Sequence, residues 1–265
     1  MLAYRTYEKG PRTDWVVFVH GAGGSSAIWF KQVRDFKAHF NVLLVDLRGH
    51  GDSSRNGGES WNGTYSFEVV SSDVIEVMDH LGIASAHFVG ISLGSVLIRT
   101  IGELQPSRIS SMVLGGAITR LNARSRFLVV VGNLLKRILP FMWLYRLFAW
   151  IIMPRPHHQE ARLLFAREAR KLARNEFLRW FRLTWKVVPL LRFFEEQELP
   201  RPTLYLMGEE DYMFLPAVRA LIDKHKHGIL RVVTGAGHVC NVEKPVEFNR
   251  YAIEFIRAHP IMQVA

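Results

Sequence analysis

Short, continuous runs of apolar residues recur along the chain, and longer segments with apolar residues at helical spacing lie between them. Uninterrupted apolar runs are typical of strands buried on both faces of a parallel sheet. They predict strands at Trp15–Val19, Asn41–Asp46, Ala86–Val89, Ser111–Gly115, Pro202–Met207 and Ile229–Val233. The intervening segments predict helices at Ala27–Phe40, Phe67–Leu81, Leu93–Leu104, Leu215–His225 and Val246–Ala258. This alternation indicates an α/β fold with a mostly parallel sheet flanked by helices.

One long segment interrupts the alternation. Residues 117–200 have apolar positions at helical spacing and no convincing strand. We therefore expect a core made of residues 1–116 and 201–265, with a helical cap inserted at 117–200. Basic residues divide the most apolar stretch, Phe127–Met153, into short uncharged runs, whereas a membrane span needs about 20 residues. We predict no membrane span.

The composition is that of a globular protein, and its excess charge is local. The 265 residues are 49% hydrophobic and 22% charged, with a formal net charge of +10. Between Ala117 and Arg201 there are 17 basic and 6 acidic residues, against 17 and 18 in the rest of the chain. For the basic helical face between Arg162 and Lys186 we favour a solvated outer surface. The alternative is weak attraction to anionic lipid or an acidic partner. No nucleic-acid-reading motif accompanies the charge, so nucleic acid is not expected.

The amino terminus and the single cysteine bear on the cellular compartment of the protein. Met1–Lys9 lacks the apolar run of a secretory signal, which favours the cytoplasm. Cys240 has no cysteine to pair with, and we expect a small buried hydrophobe rather than a redox thiol. The pair His157 and His158 stands alone in the sequence, so we predict no metal site.

The strongest chemical signal is Gly90–Gly94, which reads Gly-Ile-Ser-Leu-Gly between a predicted strand and a predicted helix. A nucleophile at such a junction sits on a tight turn. Small flanking residues allow close backbone approach, and Ser92 projects at the carboxyl end of the sheet. By itself the motif is also compatible with an ordinary glycine-rich turn, but its strand–turn–helix context favours a nucleophile.

A serine nucleophile needs a base, and the base needs an orienting carboxylate. His238 is the best candidate base because it follows the last predicted strand in a glycine-rich loop. Glu209, Glu210 and Asp211 follow the penultimate strand, and we favour Asp211. Viewed alone, this acidic loop is equally compatible with a solvated surface loop.

The order Ser92, Asp211, His238 on this frame resembles the α/β-hydrolase fold family, whose triad follows the same order. Residues 20–24 resemble the family's oxyanion loop, and residues 46–53 resemble its Asp-x-Arg-Gly-x-Gly-x-Ser loop. Residues 208–211 resemble its acid motif, and residues 237–238 with 243–249 resemble its histidine motif. The resemblance covers the chain outside 117–200. It implies that the backbone N–H groups of Ala22 and Leu93 form an oxyanion hole.

The resemblance implies a serine hydrolase without a cofactor, and we expect a carboxylesterase acting on small or medium apolar acyl esters. In this family the inserted cap selects the substrate, so we expect Phe141, Trp143 and Phe148 to contribute to the pocket. Lactonase, thioesterase and C–C bond hydrolase activities stay open, as does a slow-turnover ligand receptor or signalling protein. A serine at position 92 argues against haloalkane dehalogenases and epoxide hydrolases, whose family nucleophile is aspartate. The sequence leaves the oligomeric state open.

Overall fold

The central element is a seven-stranded sheet, seen in a computed structural model that describes residues 1–56, 65–136 and 138–261. The strands are β1 (Ala3–Tyr7), β2 (Trp15–Val19), β3 (Asn41–Asp46), β4 (Ala86–Ile91), β5 (Ile109–Gly115), β6 (Thr203–Gly208) and β7 (Gly228–Val233). Their order across the sheet is β1-β3-β2-β4-β5-β6-β7. Only β1 runs antiparallel to its neighbour, so the carboxyl ends of six strands meet at one edge.

Helices connect the strands. The α-helices are α1 (Val33–Phe36), α2 (Ser53–Asn56), α3 (Phe67–His80), α4 (Leu93–Leu104), α5 (Ala123–Leu135), α6 (Phe141–Ile152), α7 (Gln159–Ala169), α8 (Arg174–Leu183), α9 (Val187–Glu196), α10 (Leu215–Ile222), α11 (Cys240–Glu243) and α12 (Pro245–Arg257). Short 3-10 helices lie at Ser26–Trp29, Pro106–Arg108 and Pro156–His158.

The core lies on both faces of the sheet, as the continuous apolar runs require. Side chains alternate along a strand. Val17 and Val19 of β2 join a cluster with α3, α4 and α10, whereas Val16 and Phe18 join a cluster with α1 and α12. On the second face, the ring of Phe18 lies 4.9 Å from that of Phe36. This two-faced burial explains why β2 and the interior of β3, Val42–Val45, contain no polar residues.

The predicted α/β fold with a mostly parallel sheet is confirmed, with two local differences. The strand β1 was not predicted, because an amino-terminal edge strand is only half-buried and lacks a continuous apolar run. The single helix predicted at Ala27–Phe40 is wrong. That stretch forms a 3-10 turn and the short helix α1, and between them the Gln32 side chain is buried and donates to the backbone oxygen of Asn241. Local backbone hydrogen bonds continue on both sides of Gln32, and its tertiary side-chain hydrogen bonds hold the point where the helix is interrupted.

The segment between β5 and β6 contains the five helices α5 to α9 and no strand among its described residues. These helices have an apolar cluster of their own, which includes Leu144, Tyr145 and Phe177. We refer to residues 117–200 as the cap, which remains our predicted division of the chain. None of the helices in the described part of the chain is both long and apolar enough to cross a membrane.

Candidate active site

Ser92 occupies a strained turn between β4 and α4. Its φ of 55° and ψ of −121° put it in the left-handed half of backbone space, where no other described non-glycine residue lies. Such a conformation costs on the order of 1–3 kcal/mol and persists only where its surroundings impose it. A Cβ on Gly94 would lie 2.2 Å from the carbonyl oxygen of Val19, and one on Gly90 would lie 2.5 Å from Ile98. Glycine at both flanks therefore lets β2 and α4 close around the turn.

The structure brings Ser92, His238 and Asp211 together. The His238 Nε2 lies 2.9 Å from the Ser92 Oγ, and its Nδ1 lies 2.8 Å from the Asp211 Oδ2. Because an ionised carboxylate only accepts hydrogen bonds, Nδ1 carries the proton and Nε2 is free to accept from the serine hydroxyl. His238 and Asp211 are only 5% and 1% exposed.

The three acids of the loop after β6 point to different partners. The Asp211 Oδ1 also accepts a hydrogen bond from the backbone N–H of Phe214, which holds the carboxylate in place. Glu209 accepts from the backbone of Gly235 at 3.2 Å. Glu210 points to the cap, where it meets His157 and His158. Asp211 alone of the three contacts His238.

Two residues near Ser92 have backbone N–H groups without a partner in the described chain. Ala22 and Leu93 both line the cavity beside Ser92, and in the described chain no group accepts a hydrogen bond from either N–H. Gly21 packs directly on the serine turn, because a Cβ there would lie 3.1 Å from the Ser92 Cβ. The residues predicted for the oxyanion hole therefore stand next to the serine, with unpaired donors.

Two buried histidines fix this loop, a function that we did not predict. The Nε2 of His50 accepts from the backbone N–H of Gly23 at 3.0 Å, and the Nε2 of His20 accepts from that of Leu47 at 3.0 Å. Burial lowers the pKa of both, in His50 to about 3, so both rings stay neutral acceptors. The signal was present in the sequence, since both lie within motifs that carry the family resemblance.

Asp46 completes this support. Its Oδ1 accepts from the backbone N–H of Ser26 at 2.6 Å and its Oδ2 from that of Asp52 at 2.8 Å. Gly51 must be a glycine here, since its φ is 48° and a Cβ would lie 2.3 Å from the Asp46 carboxylate. The carboxylate thus joins the loop after β2 to the loop after β3.

Above the serine lies a cavity of about 260 Å³ between the core and the cap. Apart from the residues around Ser92 and His238, its wall is mainly apolar and aromatic, and no Asp, Glu, Lys or Arg of the described chain lines it. The core contributes side chains that include Ile28, Phe67 and Met213, and the cap contributes Leu128, Val129, Tyr145, Phe148, Ile152 and Phe181. A cavity of this size and character suits an apolar ligand.

Of the three cap residues predicted to line the pocket, only Phe148 does so. The prediction for Trp143 is wrong, because its side chain is 66% exposed on the outer side of α6. The prediction for Phe141 is also wrong: its ring packs against Phe177 and Tyr145, at 5.7 and 6.3 Å, inside the cap. Apolar composition did not reveal which face of α6 is turned inward.

Two other predicted features lie near the site. Cys240 is fully buried and donates weakly to the backbone oxygen of Leu206, and burial raises the pKa of its thiol.

His157 and His158 are not isolated, which corrects the sequence interpretation: with Glu210 they form a group whose ligand atoms lie within 4.8 Å of one another. The Nε2 atoms of His157 and His158 both hydrogen-bond to the Oε2 of Glu210, and Arg155 lies 2.5 Å from the Oε1 of Glu210. We interpret the group as an ionic contact between cap and core.

Comparisons with known proteins agree with this architecture. A family model described as the α/β hydrolase fold matches residues 14–139. A putative carbamate hydrolase, RutD of Stutzerimonas stutzeri, is 27% identical over 93% of this chain and 92% of its own length. The enol-lactonase of Burkholderia xenovorans has 22% identity and a TM-score of 0.79, covering 96% of this chain and 95% of that one. A thermophilic esterase of Thermogutta terrifontis has 19% identity and a TM-score of 0.79, covering 98% and 94%.

Proposed function

We propose that this chain, which has the α/β-hydrolase fold, is a serine hydrolase with Ser92 as nucleophile, His238 as general base and Asp211 as its orienting acid. The observation that carries the proposal is the hydrogen-bonded chain from the Ser92 Oγ through His238 to Asp211 at the foot of an apolar cavity. Each group has the partner that this chemistry needs.

In the first half of the reaction the Ser92 Oγ attacks the substrate carbonyl while His238 Nε2 takes the hydroxyl proton. The carbonyl oxygen becomes an oxyanion, which the N–H groups of Ala22 and Leu93 bind. His238 then gives the proton to the leaving alcohol, and the acyl group stays on Ser92. Asp211 keeps the imidazole in the correct tautomer and stabilises its charged form.

In the second half, water replaces the alcohol. His238 removes a proton from the water as it attacks the acyl-serine, and the same two N–H groups bind the second oxyanion. The proton returns to the Ser92 Oγ and the carboxylic acid leaves. Because Ala22 and Leu93 line the cavity beside Ser92 and their N–H groups have no other acceptor in the described chain, little reorganisation is needed when charge develops.

We propose a carboxylic ester with a small or medium apolar acyl chain as the substrate. The cavity wall supports this choice, because it has room for such a chain and offers no cation, in the described residues, to bind an anionic acyl group. Each methylene buried there contributes about 0.8 kcal/mol. Lactones, thioesters and carbamates react by the same steps, and the test includes them as alternative substrates.

The test is a panel of p-nitrophenyl esters of increasing acyl length, run beside a lactone, a thioester and a carbamate of matched size. We expect saturable turnover that is highest on one of the esters. A fluorophosphonate probe should label Ser92, and mass spectrometry should find the adduct on the peptide that contains it. Tight binding of esters with negligible kcat would instead favour the receptor alternative, and labelling of another serine would remove Ser92 from the mechanism.

A further inference from the structure

The outer side of α6 is apolar. Trp143, Leu147 and Trp150 follow one another at helical spacing and are 66%, 40% and 61% exposed. Arg146 lies in the same stripe and is also exposed. Large apolar side chains are seldom grouped on a solvated surface without a reason.

The preceding helix, α5, repeats this pattern. Phe127, Val130 and Leu134 form an exposed stripe in which the side chains are 65%, 45% and 68% exposed. Arg126 lies beside Phe127 and is exposed as well. Two consecutive helices therefore carry aromatic and aliphatic side chains interleaved with arginine. We call the two stripes together the α5–α6 surface.

Both stripes face away from the cavity. The opposite faces of the same helices, with Leu128 and Val129 on α5 and Phe148 and Ile152 on α6, form the cavity wall. The exposed residues are therefore not needed to pack the cap or to bind in the cavity. Something other than internal packing has to account for them.

The segment that contains α5 and α6 has charged residues of one sign only. From Ala117 to Gln159 the sequence has seven Lys and Arg and no Asp or Glu. Arg126 and Arg146 form no ion pair with any residue of the described chain. Their positive charges are available to an external anion.

We propose that the α5–α6 surface docks on a lipid bilayer that contains anionic headgroups. Tryptophan and other large apolar side chains favour the boundary between headgroups and acyl chains, and arginine beside them pairs with phosphate. A second copy of this chain is a poorer occupant, because stacking two such surfaces would bring like charges together. The inference does not depend on the proposed chemistry, since binding can be measured with the Ser92→Ala protein.

The experiment is flotation of the full-length protein with vesicles of phosphatidylcholine alone or with added phosphatidylglycerol. We expect binding to the mixed vesicles, little to phosphatidylcholine, and weakening by salt. The apolar variant is Phe127→Ser with Trp150→Ser, and the charge variant is Arg126→Glu with Arg146→Glu. Each should lower the partition coefficient about tenfold or more. All four residues are exposed and outside the cavity wall, so ester turnover in solution should not change.

The matched control is Arg34→Glu with Arg219→Glu, which makes the same charge change on exposed residues of α1 and α10. It should reduce binding by less than about threefold. The proposal is overturned if wild-type protein ignores the anionic vesicles, if the control loses binding as fully as the charge variant, or if the apolar variant binds like wild type. A dimer in light scattering that the apolar variant abolishes, without vesicle binding, would assign the surface to a second copy instead.

Discussion

His158 of the cap lies with its Nε2 2.9 Å from the Oε2 of Glu210, the residue directly before Asp211. The side chain of His158 is 1% exposed and that of Glu210 is 9% exposed, so this contact is shielded from water. The same His158 Nε2 lies 3.6 Å from Glu243, whose Oε2 accepts from the backbone of Gly237 beside His238. The cap is thus tied to both loops that carry the partners of Ser92.

This contact predicts the effect of Glu210→Gln. Burial opposes ionisation of Glu210, but the hydrogen bond from His157, with His158 and Arg155, lowers its pKa below the ordinary value. The contact therefore stabilises the fold at neutral pH and is lost as the pH falls through that lowered pKa. We expect the variant to lose about 1–3 kcal/mol of stability at pH 7 and to exchange amide hydrogens faster near Arg155.

Glu209→Gln is the matched control for that variant, because its carboxylate is exposed and contacts only the core. The hydrogen exchange and melting temperature of this control should stay close to those of wild type. An unchanged exchange rate at residues 155–165 in Glu210→Gln would mean that other contacts hold the cap.

For Ser92→Ala, we expect kcat on p-nitrophenyl esters to fall at least about a thousandfold with circular dichroism unchanged, because the hydroxyl is the proposed nucleophile. Ser125→Ala is the control, since Ser125 also lines the cavity but its hydroxyl donates to the backbone of Asn122. Its kcat should stay within a few fold of wild type. Substantial turnover by Ser92→Ala would contradict the proposed mechanism.

Asp211→Asn should lower kcat by about four orders of magnitude, because the amide presents the wrong partner to the Nδ1 of His238. Glu209→Gln and Glu210→Gln should leave the chemical step nearly unchanged, although the second loosens the cap. Steady-state kinetics on one ester compares all three. If either glutamine variant showed the severe loss of kcat, the acid would have been assigned to the wrong residue.

His50 predicts a pH dependence of stability. Its pKa in the folded protein is lowered to about 3 by burial, below its ordinary value near 6.5. The unfolded chain therefore binds an extra proton between these values, and stability falls on acidification. This one group should lower the free energy of unfolding by about 2 kcal/mol between pH 7 and pH 5.

Urea unfolding at several pH values measures how the free energy of unfolding changes with pH. His50→Gln removes the titration but retains an oxygen that can accept from the backbone of Gly23, so its stability should depend less steeply on pH. Equal slopes in the two proteins would show that His50 does not titrate differently in the two states.

The cap wall predicts a change of acyl preference. Phe148→Ala should shift the preferred acyl length by about two carbons or more, because it opens the cavity where each buried methylene contributes about 0.8 kcal/mol. Trp143→Ala is the exposed control and should change neither preference nor stability. Phe141→Ala should lower the melting temperature alone. Equal preferences in wild type and Phe148→Ala would place the specificity elsewhere on the cavity wall.

Much of the fold could be predicted because its signals are local. The strand β2 is Val-rich and continuous, and it ends in a glycine-rich turn, so a few adjacent residues define it. The turn at Ser92 depends on the small size of Gly90 and Gly94, which the sequence displays directly. The family resemblance also gives the order of Ser92, Asp211 and His238 along the chain.

Other features depend on the direction in which each side chain points, which a sequence does not contain. Glu209, Glu210 and Asp211 are consecutive, and only the folded loop turns one to His238, one to the cap and one to Gly235. Trp143 and Phe148 are both apolar and lie on one helix, yet Trp143 faces solvent and Phe148 faces the cavity.

The long-range polar contacts were decided in the same way. His50 meets Gly23 only because β2 and β3 are neighbours in the sheet, which brings the loops that follow them together. His158 meets Glu210 only because the cap folds back over β6. The sequence by itself determined six of the seven strands and the serine turn, since these depend on neighbouring residues, and its family resemblance gave the order of the candidate triad. The tertiary structure decided the cavity wall, the support of the loop after β2 and the cap contact, since these depend on side chains brought together from distant segments.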